Sequence, residues 1–192
     1  PFPEARPLPW PGLNRQGHLQ IHDRPATATL LFAGDFCPLH GLHDHLLAGR
    51  LDAVSGDSIE SIRSADLAVV NLELPLTRSE TPIIKCGPNF RGDPVLTDRL
   101  IDTGFDVAAL ANNHIMDQGA EAMRETLAVL DAAGLGRLGA GDDPTDAAAP
   151  LLLETNGLRV AMLNIAEGEF SLSRGGPGVA GLDPVANCRA VE

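Results

Sequence analysis

The stretch Asp106-Val-Ala-Ala-Leu-Ala-Asn-Asn-His-Ile-Met-Asp-Gln-Gly119 decides the fold. Its apolar run, Val107 to Ala111, reads as a buried strand. The run stops at Asn112, Asn113 and His114, three polar side chains that an ordinary core strand would not carry. A turn through Asp117-Gln118-Gly119 follows, and then a strong helix. In open α/β sheets, ligands sit outside the carboxyl ends of the strands, so a strand ending on Asn-Asn-His is a candidate site wall. A second reading stands beside it: Asn tolerates left-handed geometry and bonds its own backbone, so the pair can simply close a turn.

The flanking sequence extends the α/β pattern. Upstream, Thr27 to Ala33 reads as a first strand, β-branched and then apolar, ending at Gly34-Asp35. Asp57 to Ser64 suits a short helix capped by Asp57 or Ser58. Leu67 to Asn71 is a second buried strand that ends at Leu72-Glu73, where Pro75 blocks a regular continuation. Residues 75–93 form a long loop, a length uncommon in compact domains and often functional. Asp93-Pro94 opens a helix carrying Val95, Leu96, Leu100 and Ile101, and Gly104 stops it. Downstream, a helix from about Ala120 to Ala133 places Met123, Leu127 and Leu130 on one face, and Gly134 ends it. Arg137 to Ala140 fits a short strand and Pro144 to Ala148 a weak helix. Leu151 to Thr155 and Leu158 to Ile165 flank Asn156-Gly157, the strongest hairpin signal in the chain. Asp183-Pro184 opens a helix that runs to Glu192. Strands alternating with helices, then a hairpin, predict an α/β layered fold with a mixed sheet.

Composition sets outer limits. At 192 residues, 44% hydrophobic and 21% charged, the chain suits one domain with a real core. The domain is expected over 27–192, behind a proline-rich arm or linker over 1–26 that holds Pro1, Pro3, Pro7, Pro9, Pro11 and Pro25. A net charge of −12 without any basic run argues against nucleic acid or a polyanionic membrane surface as partner. Cys37, Cys86 and Cys188 are odd in number and widely spaced, which fits a reducing compartment such as the cytoplasm better than a disulfide framework. No apolar run reaches the ~20 residues of a membrane helix. Because the chain starts at Pro1 without a Met, the cell envelope stays open as its location.

Three strand ends carry groups of one chemical character: Asp35, Glu73, and Asn113 with His114. Two carboxylates and an amide oxygen are hard ligands, and His114 adds an imidazole, a set suited to Mg²⁺, Mn²⁺, Fe or Zn²⁺. If the strands are parallel neighbours, their ends lie about 5 Å apart and the side chains can converge on one ion. The competing reading has Asp35 and Glu73 capping neighbouring loops. Cys37, His40, His43 and His45 crowd nine residues, but Pro38 and Gly41 mark a loop, and the expectation is solvated histidines rather than a zinc cluster. Asn89-Phe-Arg91-Gly92 is a candidate anion-binding lip, with Arg91 as a substrate contact beside Asn112; the competing reading has Arg91 as a solvated or structural arginine.

The residues also resemble a family. Leu31-Phe-Ala-Gly-Asp35, Val70-Asn-Leu-Glu73-Leu-Pro75 and Ala111-Asn-Asn-His-Ile-Met-Asp-Gln-Gly119 are similar to the three N-terminal motifs of the CapA family, the capsule or poly-γ-glutamate synthesis proteins. Gly87-Pro-Asn-Phe-Arg91 and Leu138-Gly-Ala-Gly141 fit the same family, and the resemblance covers roughly residues 28–192. It implies a calcineurin-like metallophosphoesterase fold, a layered β-sandwich flanked by helices. It also implies Asp35, Glu73 and Asn113 as ligands of a divalent metal, with His114 as the catalytic acid. This chain departs from the phosphoesterase pattern at Cys37, where a His is usual, and at Glu73, where an Asp is usual. The later His-Gly-x-Glu-like and Gly-x-His-x-His-like segments are absent before Glu192, so the chain is expected to be the N-terminal portion of a domain truncated at its C-terminus. The function implied is metal-dependent hydrolysis of a phosphoester or an anionic envelope polymer. The alternative is a non-enzymatic binding or assembly subunit for such a polymer.

Overall fold

The computed structural model describes residues 27–167 and 170–189; the proline-rich arm lies outside them. Four strands, β1 (Leu30–Phe36), β2 (Leu67–Leu72), β3 (Val107–Ala109) and β4 (Gly136–Leu138), form one sheet in the order β1-β2-β3-β4. All three pairings are parallel, with Leu31 opposite Ala68, Val70 opposite Ala108 and Ala108 opposite Arg137. Each crossover returns through helix: α1 (Gly41–Leu47), α2 (Asp52–Ser55) and α3 (Ser58–Ser64) before β2, α4 (Leu96–Thr103) before β3, and α5 (Gly119–Ala133) before β4. The remaining elements are β5 (Ala140–Gly141), α6 (Pro144–Ala147), β6 (Leu151–Thr155), β7 (Leu158–Met162), β8 (Gly178–Val179) and α7 (Pro184–Arg189).

The two-residue period of β2 shows how the layers are made. Ala68 and Val70 face the helices, packing in the core that also holds Leu46, Leu100, Met123 and Leu130. Leu67 and Val69 face the other way, against Val107, Leu138, Met162, Leu151 and Val160. A strand buried on both faces needs a continuous apolar run, which Leu67 to Val70 supplies. The second face is covered by the β6–β7 hairpin. Its turn residues Asn156 and Gly157 both have positive φ, 48° and 74°, as a twist-matched two-residue turn requires.

This is the layered α/β architecture expected, with one correction. The sheet is not mixed: all four of its strands run parallel, and the antiparallel hairpin is a separate two-stranded sheet. The hairpin packs face to face on the parallel sheet instead of extending its edge, because Leu151, Leu153 and Val160 give it an apolar face of its own.

Local boundaries moved for identifiable reasons. Asp93 does cap the turn before α4, its Oδ1 accepting from Val95 N at 3.0 Å, but the next N–H groups of Leu96, Thr97 and Asp98 bond three residues back. That first turn is therefore 3₁₀-like, and the α-helix begins at Leu96. The third strand ends at Ala109 rather than Ala111, since the Ala111 N–H is taken by the Asn164 side chain. Gly41 starts a helix where a loop was expected, with His40 before it at φ 54°. Helix α5 buries Met123, Leu127 and Leu130 and is closed by Gly134 at φ 75°, as the apolar stripe required.

Candidate metal-binding site

Parallel pairing brings Asp35 and Glu73 to the same rim. Asp35 pairs with Asn71 and Phe36 with Leu72, and the Glu73 N–H donates to the Phe36 carbonyl at 3.2 Å. Their carboxyl groups sit close enough to shift one another's protonation. Two carboxylates at close range disfavour each other's ionisation. Asp35 is held below its ordinary value, chiefly by the Asn71 amide, which donates to Oδ1 at 2.8 Å, and then by Glu73. Glu73 is pushed up to about 7, first by burial and then by Asp35. Glu73 is thus the member that takes up a proton more readily.

Asn71 extends the wiring to the third strand end. Its Oδ1 accepts from Asn112 Nδ2 at 3.1 Å, and the same Nδ2 donates to the Leu72 carbonyl at 2.9 Å. Asn112 Oδ1 accepts from the backbone N–H groups of His114 and Ile115 at 3.0 and 2.9 Å. Every polar capacity of this buried amide is committed inside the protein. Asn112 shapes the turn and ties it to β2, and it also lines the cleft beside Asn113. The turn-closing reading is seen at Asn112. Asn113 is half-buried, makes no hydrogen bond to another described residue, and lines a cleft of about 280 Å³ with Ala111, Glu167, Ser171 and Leu172.

His114 sits on the outgoing turn with its side chain 12% exposed. Nδ1 lies 2.7 Å from Asp117 Oδ2, and the ring stacks on Phe90 with centroids 4.2 Å apart. Asp117 is fully buried; it also accepts from Phe90 N at 2.6 Å and from Lys85. The long loop between β2 and α4 thus closes over the turn that carries His114. Asn71, Lys85, Phe90 and Asp117 were missed as site residues. Only Asp117, three residues after His114, carried a signal in the sequence, and there it passed as a turn former.

Arg91 is not brought to this rim. It pairs with Glu80 at the surface and lines a different cleft with Pro38, His40, His43 and Asp93. Cys37 stands beside the carboxylate pair, its thiol pushed up to about 11 by burial and by the charges of Glu73, Asp35 and Asp117, which makes it a poor thiolate ligand. Among the described residues no three of the His, Cys, Asp and Glu side chains gather in an arrangement able to hold a metal ion, the histidines around α1 included. The two neighbouring carboxyl groups are nonetheless hard oxygen donors of the kind a divalent cation takes. Among the described residues no helix is long and apolar enough to cross a membrane.

A family model described as "Bacterial capsule synthesis protein PGA_cap" matches residues 29–184. Two proteins of Sinorhizobium fredii (strain NBRC 101917 / NGR234), named uncharacterized proteins y4sH and y4uA, are each 35% identical over 121 residues, 60% of this chain and 26% of theirs. The "Capsule biosynthesis protein CapA" of Bacillus anthracis is 36% identical over 66 residues, 34% of this chain and 16% of its own. The chain thus spans about a quarter or less of the curated relatives it matches. Because the family match runs unbroken from β1 to the start of α7, through all three strand-end motifs, the chain belongs to the bacterial capsule synthesis protein family.

Proposed function

We propose that this chain forms one wall of a metal-dependent hydrolase site acting on a phosphoester or on an anionic polymer of the capsule, such as poly-γ-glutamate. The observation that carries the reading is the Asp35–Glu73 carboxyl pair at parallel strand ends, wired through Asn71 to the turn that presents Asn113 and His114. Asp35, Glu73 and Asn113 would hold the divalent ion. When bound, that ion would supply Lewis-acid polarisation and a more acidic water.

The protein's own residues do the rest. Asn71 and Asn112 fix the spacing of the rim. Asp117 holds Nδ1 of His114, so that Nε2, on the far side of the ring, is the atom available for a proton on the leaving oxygen. A net charge of −12 repels a polyanion at long range, and a cation at the rim gives such a substrate a local point of attraction.

The test is metal content and turnover of the full-length protein. Stoichiometric Mn²⁺ or Zn²⁺ that is lost together in Asp35→Asn and Glu73→Gln, with phosphoesterase or polymer-cleaving turnover lost in parallel, is the expected result. Unchanged metal content in both variants would remove the proposed ligands. Metal retained with no turnover on any phosphoester or capsule polymer would favour a binding or assembly subunit.

A further inference from the structure

Lys85 is the only lysine in the 192-residue chain; every other basic residue of the Lys and Arg total of 14 is an arginine. The chain's single side-chain ammonium is 2% exposed. It donates to Asp117 Oδ1 and lies 3.1 Å from Nδ1 of His114. The loop that delivers it is fastened on both sides: Ile83 N donates to the Asp117 carbonyl at 3.0 Å, and Phe90 N to Asp117 Oδ2 at 2.6 Å. Asn89 Nδ2 closes the loop on itself through the Ile83 carbonyl at 3.0 Å.

Stability does not account for this arrangement. Burying an ion pair costs desolvation that its attraction often fails to recover, and apolar replacements of such pairs are frequently neutral or better. What a buried pair can supply is one fixed geometry. Asp117 has two oxygens and three donors to serve. Lys85 occupies Oδ1, which leaves Oδ2 to Phe90 N and to His114 Nδ1 at 2.7 Å. The shorter of the two contacts at Nδ1 is the one to Asp117, a geometry that suits an Nδ1–H donating there, while Phe90 blocks one face of the ring. Nε2 is left on the opposite side, with no hydrogen bond to a described residue. The ammonium is a compact point charge, whereas a guanidinium presents a planar fork of donors, so an arginine here would meet Asp117 in a different geometry.

We propose that Lys85 is a positioning residue: through Asp117 it locks the His114 ring in one orientation and one tautomer, with Nε2 left on the edge away from Asp117. The structural part stands on the contacts above; only its catalytic consequence rests on the hydrolase reading.

The experiment labels histidine with ¹⁵N in the full-length, metal-free protein and compares wild type with Lys85→Met, Lys85→Arg and the charge-neutral double variant Lys85→Met/Asp117→Asn. In the wild type, His114 should show one fixed Nδ1–H tautomer, with ring-to-ring cross-peaks to Phe90. In Lys85→Met and Lys85→Arg the two nitrogen shifts should move toward an average and the cross-peaks weaken. The double variant removes the buried charges together and keeps the comparison available if the single variants unfold. In turnover, kcat should fall about tenfold or more with KM and metal content unchanged, the usual scale for a supporting residue. A wild type without a single Nδ1–H tautomer, or wild-type shifts and cross-peaks in a folded variant, overturns the proposal. Shifts that move as expected in a protein without any hydrolytic activity would sustain the positioning role and overturn the hydrolase reading instead.

Discussion

The Asn71 amide donates to Asp35 Oδ1 across 2.8 Å, and in the same stroke its carbonyl accepts from Asn112, so one side chain on the middle of three strand ends sets the spacing of the other two. Removing it should loosen the rim without touching a proposed ligand. Asn71→Ala is expected to cost about 1 kcal/mol of stability, the usual net worth of a hydrogen bond. It should weaken Mn²⁺ binding by the full-length protein about tenfold or more. Denaturant melts read the first part and titration calorimetry the second, and an unchanged Mn²⁺ affinity would detach Asn71 from the site.

The carboxyl pair predicts a direction for pH. Glu73 is raised from 4.5 to about 7 in the folded protein, so the native state binds the extra proton between those values. Stability of the metal-free protein should therefore fall as pH rises from about 4.5 through about 7, because ionisation there is disfavoured only in the native state. The lowered Asp35 acts in a separate window, losing its contribution as pH drops below its ordinary 3.8. Glu73→Gln should flatten the upper slope in a series of thermal melts. A slope that survives the substitution would place its origin elsewhere.

Much of the fold was legible because it is local. The apolar run of β2, the stripe of α5 and the Asn156-Gly157 turn each declare themselves within a few residues. The three polar strand ends were legible for the same reason, since a polar group has no ordinary place at the end of a core strand. What stayed hidden depends on tertiary approach. Lys85 lies in a loop without periodicity, and nothing near it in sequence tells that it will be buried against Asp117, 32 residues on. The division of labour between Asn112 and Asn113 was equally hidden, because it turns on which amide faces Asn71. The parallel character of the sheet could not be separated from a mixed one until the hairpin was seen to cover a face.

That division of labour is itself testable. Asn112→Ala strips the partner from two backbone N–H groups and from the Leu72 carbonyl in a buried position. Each orphaned group costs about 1–3 kcal/mol, so the expected loss is at least about 3 kcal/mol. Asn113→Ala removes no hydrogen bond to a described residue and should stay within about 0.5 kcal/mol of wild type. The order should reverse for metal, with Asn113→Ala losing affinity at nearly full stability. Equal destabilisation by the two substitutions in denaturant melts would contradict the assignment.

His114 separates catalysis from packing most directly. Its ring is mostly buried, stacked on Phe90 and bonded to Asp117, so a structural role alone would also explain its presence. His114→Asn shortens the side chain, loses the stack and leaves Asp117 with Lys85 and Phe90 N. A merely structural histidine would then show itself as lost thermal stability with kcat preserved among the molecules still folded. A proton donor gives the opposite signature: metal content and KM near wild type, and kcat lower by roughly 10²–10⁴-fold. The measurement must be made on the full-length protein with metal quantified in each sample, because a variant that lost its ion would lose turnover for another reason. With metal present and the fold intact, an unchanged kcat on a phosphoester or capsule polymer that the wild type cleaves would take His114 out of the mechanism and leave it as the keystone of the loop.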